Sequence, residues 1–219
     1  SDMSDWNPSE IIGNNPNLLD YSLYDYLIMQ NAWHKGRLKL GYQNMNNSNL
    51  MIKFGNKPYV NIESSFNSLI PENLSNSLKR KLIKYYFDKL IEQPHLHDKV
   101  EFEILFTCYD ANTNSCLTDL LNYNFSEIEI KEIKKSLIDL TNGVINNFPN
   151  ILDECTKSII IMKKNRENIY SNSNTTKQNY LQKLEIAEKL LSDCKNFGTT
   201  PFSTLARIAF MATAIFKSF

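Results

Sequence analysis

Glycine is scarce in this sequence, with six residues spread over 219 positions. Neither G-x-x-x-x-G-K nor G-x-G-x-x-G occurs, which excludes the glycine-rich loops that cradle phosphate with backbone N–H groups. The G-x-S-x-G elbow that exposes a nucleophilic serine is absent as well. Histidine is rarer still, at three, and no cysteine stands beside an obvious base. An excess of either charge is also missing. Lys+Arg and Asp+Glu balance at 24 each, so no overall field draws the chain to nucleic acid or to an anionic membrane. No catalytic motif is complete within these residues.

The cysteines are few and scattered: Cys108, Cys116, Cys155 and Cys194, with no C-x-x-C pair. Disulfide frameworks belong to small secreted domains dense in cysteine, so these read as core thiols of a reducing, cytoplasmic compartment. The first residues are polar and acidic, without the pattern of a secretory leader. The apolar run 205–219 is interrupted and shorter than the roughly 20 residues of a membrane span. A first residue other than Met and an apolar last segment lead to the expectation that the chain is a piece of a longer protein.

What is present is material for a core. Apolar residues make up 42%, with 12 Phe and 11 Tyr, which describes a folded chain and not a disordered one. After turn chemistry over 1–16, the spacing of Leu19, Leu23, Tyr26 and Trp33 predicts a helix over 17–40, stopped by Gly41. Runs at 50–54 and 58–62 around Gly55-Asn56 predict a hairpin. Leu74, Leu78, Leu82 and Tyr85, beside Ile83, Phe87 and Leu90, give a helix over 73–93 with two apolar faces, ended by Pro94. From 99 to 109 the residues alternate, Val100, Phe102, Ile104 and Phe106 against Glu101 and Glu103, as in a half-buried strand.

The second half reads as helix throughout. Ser126 and Glu129 form a capping box, followed by Ile130, Ile133, Leu137, Leu140 and Val144. Pro149 suits the first turn of a next helix, carrying Leu152, Cys155, Ile159, Met162 and Ile169. After polar residues 171–177 a third helix carries Tyr180, Leu184, Ala187, Leu191 and Cys194, and a last one begins at Pro201. The expected class is mostly α, in the α+β sense: a small antiparallel sheet plus a helical bundle. The organisation is a mixed region over 1–125 and a helical region over 126–219.

The densest group of polar functional side chains is His95, His97 and Asp98, followed by Lys99, Glu101 and Glu103. Two histidines and a carboxylate can hold a metal and serve a hydrolase. The plainer reading is a polar turn whose histidines bond to the backbone. Glu101 and Glu103 could divide acid and base work; a solvated strand face is the commoner cause of such a pair.

Several phrases are more particular than helix filler: D-W-N-P-S-E-I-I-G at 5–13, P-Y-V-N-I at 58–62, S-F-N-S at 65–68, H-D-K-V-E-F-E at 97–103, D-C-K at 193–195, G-T-T-P-F at 198–202 and L-A-R-I-A-F at 205–210. Together they resemble the central region of phosphoenolpyruvate-synthase-like proteins, the phosphotransferase group that includes rifampin phosphotransferase. The resemblance implies an ATP-grasp domain that holds ATP and magnesium, and a swivelling domain with a phosphorylated histidine in a T-x-x-S-H-A-type motif. Neither signature occurs here, so these residues would form the substrate side, bind no cofactor themselves and carry no catalytic residue. Their partners would be those two domains and a small phosphoryl acceptor, pyruvate or another molecule.

The resemblance makes Trp6, Asn7, Glu10, Asn67, His97, Asp98, Lys99, Glu101, Glu103 and Arg207 the candidates for facing that acceptor. One departure stands out: Glu63 and Ser64 occupy the place before S-F-N-S where the group would have an arginine. That removes a cation suited to an anionic acceptor and leaves Lys99 and Arg207 for the task. A helical scaffold that docks its neighbours through 127–196, without a ligand, is the alternative.

Overall fold

The computed structural model describes residues 8–46, 48–97, 99–173 and 179–219. The chain enters through α1 (Pro8–Ile12) and α2 (Leu18–Tyr24), the second capped by Asn17, whose side chain accepts from the Asp20 amide at 2.9 Å. A π-helical segment, Asp25–Met29, follows, and then α3 (Ala32–Leu38). The helix expected over 17–40 is therefore widened in its middle and interrupted by a turn at Gln30 and Asn31, where Asn31 takes a φ of −147°. Gly41, with φ of +94°, ends it in the left-handed region that glycine enters without steric cost.

Strands β1 (Met51–Phe54) and β2 (Lys57–Val60) form the predicted antiparallel hairpin, with Phe54 opposite Lys57. Gly55 supplies the positive φ, 59°, that a two-residue turn requires. The short α4 (Ile62–Asn67), capped by Asn61, leads into α5 (Asn76–Glu92). Leu78, Leu82, Tyr85 and Tyr86 of α5 are buried, and Ile83, Phe87 and Leu90 pack beside them, as the two-faced pattern required.

The strand expected over 100–107 is not formed. After a 3₁₀ turn at Pro94–Leu96, the chain makes α6 (Val100–Glu103), and the amides of Ile104 and Leu105 both donate to the Val100 carbonyl. Alternation of apolar and polar residues misled because residues two apart share a face only in a strand. In a helical turn they diverge, so Glu101 points inward at 4% exposure while Glu103 stays exposed. An irregular segment then reaches α7 (Thr113–Asp119) and a 3₁₀ turn, Leu120–Tyr123.

The capping box forms as read. The Ser126 amide donates to Glu129 Oε2 at 2.7 Å, and the Glu129 amide donates to Ser126 Oγ at 3.3 Å. It opens α8 (Glu127–Ser173), 47 residues long, with Pro149 inside it. The break expected at Pro149 does not occur. Pro149 and Ile145 are both exposed, so the carbonyl that loses its donor lies on the solvated side of the helix, where water can replace the bond. A second helix, α9 (Tyr180–Asp193), opens with its own capping box from Asn179 and Gln182. It passes through a π-helical segment, Cys194–Thr199, into α10 (Thr200–Ser218).

The larger core draws on both halves of the chain, from Leu40, Tyr42 and Phe66 through Leu82 and Ile133 to Met211. Helices α3 and α10 cross very closely. A Cβ placed on Gly36 would lie 2.6 Å from the Thr204 amide nitrogen, so only glycine permits this approach. Ser203 Oγ adds a hydrogen bond to the Trp33 carbonyl at 3.1 Å across the same crossing. Among the described residues no helix is long and apolar enough to cross a membrane.

Candidate functional site

The close crossing of α3 and α10 has a chemical consequence: it brings Arg37 and Arg207 into one buried cluster with Glu101 from α6. Arg207 Nη1 donates to Glu101 Oε2 at 2.5 Å, and Arg37 Nη2 lies 3.7 Å from Glu101 Oε1. All three side chains are at most 4% exposed. Arg37 Nη1 also donates to Ser68 Oγ, which in turn donates to the Ser65 carbonyl at 2.6 Å. The S-F-N-S phrase is thereby tied to the same cluster.

Aromatic rings enclose the charges. The Arg37 guanidinium sits 5.3 Å from the Trp33 ring centre, and that of Arg207 sits 5.6 Å from Tyr42 and 5.9 Å from Phe210. Tyr42 is fixed by a hydrogen bond to the Thr107 carbonyl at 2.6 Å. Burial lowers the Arg37 pKa to about 10, with Glu101 opposing and Arg207 reinforcing the effect. Burial also works against the Arg207 charge, but Tyr42 and Glu101 together outweigh it and hold that pKa up. The thiol of Cys108, close by, is pushed up to about 11 by burial and stays protonated at neutral pH.

Beside the cluster lies an open cavity of about 330 Å³. Glu101, Glu103, the 104–108 backbone segment, Lys89, Asp110 and Asp119 are among its walls. Asp110 is held in place by its own turn, its carboxylate accepting from Thr113 Oγ1 at 2.7 Å and from the Asn112 amide at 3.0 Å. Carboxylates outnumber cations on these walls, so the cavity favours hydrogen-bonding ligands and offers little to an anion.

The candidates from the sequence separate on this geometry. Glu101 and Arg207 meet; Glu103 reaches the adjoining cavity. Lys99 and His97 are exposed on the turn ahead of α6, where His97 Nδ1 sits 3.2 Å from the Pro94 carbonyl oxygen. Asn67 is half-buried and spends its amide on the Glu63 carbonyl at 2.9 Å. Glu10 is exposed in α1, away from these contacts in sequence and element. Trp6, Asn7 and Asp98 lie outside the described residues. Among the described residues no group of three or more His, Cys, Asp or Glu side chains is arranged to hold a metal.

Arg37 is the participant that sequence reasoning missed. The available signal was W-H-K-G-R at 33–37, an arginine one turn after a tryptophan and directly after a glycine inside a helix. A glycine there costs helix stability, and a close helix crossing is one reason to keep it. No family model matches the chain, and neither a curated protein nor a solved structure matches it.

Proposed function

We propose that this chain is the substrate-side region of a multidomain, ATP-dependent phosphotransferase of the phosphoenolpyruvate-synthase-like group. One observation carries the reading. Three of the phrases on which the resemblance rests, far apart in sequence, supply residues to one buried cluster: Glu101 from H-D-K-V-E-F-E, Arg207 from L-A-R-I-A-F and Ser68 from S-F-N-S. A set of phrases that answers a single three-dimensional requirement belongs together as one unit.

In this reading the cluster is structural. It pins α6, so that Glu103 and the 104–108 segment form one wall of the open cavity where an acceptor sits. Arg207 is committed to Glu101 and does not replace the arginine absent at Glu63. ATP, magnesium and the phosphohistidine belong to neighbouring domains, and the acidic walls of the cavity favour an uncharged, hydrogen-bonding acceptor over pyruvate. Translation of the gene in frame on both sides tests the proposal. An ATP-grasp domain before these residues and a T-x-x-S-H-A-type domain after them are expected. Stop codons on both sides, or robust ATP hydrolysis by the isolated 219 residues, would overturn it.

One observation favours the scaffold reading: Ile145, Phe148, Leu152 and Ile159 form an exposed apolar row along α8, each at least 38% exposed. Paired Leu152→Glu and Ile159→Glu substitutions in the full parent protein discriminate the two. Loss of assembly with acceptor turnover otherwise intact supports docking.

A further inference from the structure

Lysine is almost never buried without a carboxylate partner, because its ammonium must give up hydration. Lys195 departs from this rule, at 8% exposure. Its Nζ has no ion-pair partner among the described residues, and its polar contact is Gln30 Oε1 at 3.4 Å. The amine stands 4.2 Å from the centre of the Tyr26 ring. The carboxylate that acts on it, Asp25, is kept at one remove: Gln30 Nε2 donates to Asp25 Oδ2 at 3.0 Å, so the amide lies between carboxylate and amine. Gln30 and Lys35 are both exposed, which places the buried amine next to the surface.

The backbone around Lys195 is as unusual as its burial. Lys195 belongs to the π-helical segment Cys194–Thr199, and Tyr26 belongs to the other one, Asp25–Met29. The two segments are packed against each other, with Thr199 Oγ1 donating to the Leu27 carbonyl at 2.7 Å. A π-helical turn is costly within an α-helix and recurs at functional positions. Here two of them meet at one amine.

We propose that Lys195 is a reactive amine that condenses reversibly with the carbonyl of a small 2-oxo acid, whose carboxylate pairs with the neighbouring Lys35. Nζ attacks the carbonyl carbon and a C–N bond forms. The two protons of the neutral amine pass to the carbonyl oxygen, the C–O bond breaks and the oxygen leaves as water, giving an imine. Burial, and then the like charge of Lys35, lower the affinity of Nζ for its proton against the pull of Asp25, which leaves more free amine at neutral pH. This assignment stands apart from the phosphotransferase reading, because its test needs neither ATP nor a neighbouring domain.

The test treats the whole 219-residue chain with limiting glyoxylate and cyanoborohydride at pH 7. Cyanoborohydride delivers hydride to the imine carbon and fixes the adduct as a secondary amine for peptide mapping by mass spectrometry. Lys195 should be labelled several-fold faster than the exposed Lys57 and Lys131, because burial leaves more of its amine unprotonated at that pH. The preference should vanish in urea. Labelling of Lys195 no faster than of Lys57 and Lys131 overturns the proposal. Equal preference for Lys195 with acetaldehyde, which lacks a carboxylate, overturns the assignment to a 2-oxo acid.

Discussion

Glu101 and Arg207, separated by 106 positions, share a buried 2.5 Å hydrogen bond that joins the 97–103 phrase to α10. It is the longest-range charged contact among those around the candidate site, and it decides which carboxylate of the 97–103 phrase is structural and which is available. Removing one member of a buried pair leaves its partner desolvated and uncompensated, which costs more than the pair contributes. Glu101→Gln should therefore lower unfolding stability by about 3–5 kcal/mol. The combined Glu101→Gln/Arg207→Met variant should lose less than the sum of the two single changes. Urea denaturation of the four proteins measures the coupling, and strict additivity would show that the two side chains act independently.

Gly36 controls the same site from the other side. A methyl group there meets Thr204 N at 2.6 Å and the Ser203 carbonyl carbon at 2.9 Å, both backbone atoms that cannot rotate away. Gly36→Ala should force α3 and α10 apart and lower stability by about 1–3 kcal/mol. Gly143→Ala is the control. Nothing lies within 4 Å of its added Cβ, so this helical position should gain up to about 1 kcal/mol. Thermal unfolding of both variants checks the contrast, and a stabilised Gly36→Ala would refute the steric argument.

His34 makes stability depend on pH. It is 1% exposed, and neither ring nitrogen has a hydrogen-bond partner among the described residues. Burial, with the like charge of Lys35 added, lowers its pKa below the ordinary 6.5. Above that value His34 is neutral in both folded and unfolded chains and contributes no pH dependence. As the pH falls below it, the unfolded chain binds a proton that the folded one resists, so stability declines until the folded pKa is reached. The urea midpoint should drop between pH 7.5 and pH 5.5, and His34→Leu should flatten that decline. An unchanged slope in the variant would remove His34 as the cause.

Local chemistry explains which of these features were legible beforehand. Ser126 and Glu129 announced the start of α8 because a capping box is satisfied within four residues. Gly55 announced the hairpin and Gly41 the end of the first helical stretch for the same reason: each answers a backbone requirement of its own neighbours. The α5 stripes were readable because one helix displays its buried face at a fixed period. Residues 100–107 were not, since their alternation fits both a strand and a short helical turn followed by irregular chain. Pro149 misled in the other direction, because the carbonyl it orphans, that of Ile145, lies on the solvated side of the helix, which lowers the cost of continuing through it.

The mostly helical class, the hairpin, the Ser126–Glu129 cap and the apolar faces were legible in the amino-acid order, because each depends on residues a few positions apart. Long-range packing was needed to make Glu101 a buried counter-ion and not Glu103, to join Arg37 to Arg207, and to leave Lys195 without a carboxylate partner among the described residues. Those outcomes turn on which helices approach one another and how closely. A charge is solvated or paired according to neighbours dozens of residues away, and a side chain's own sequence context carries no record of them.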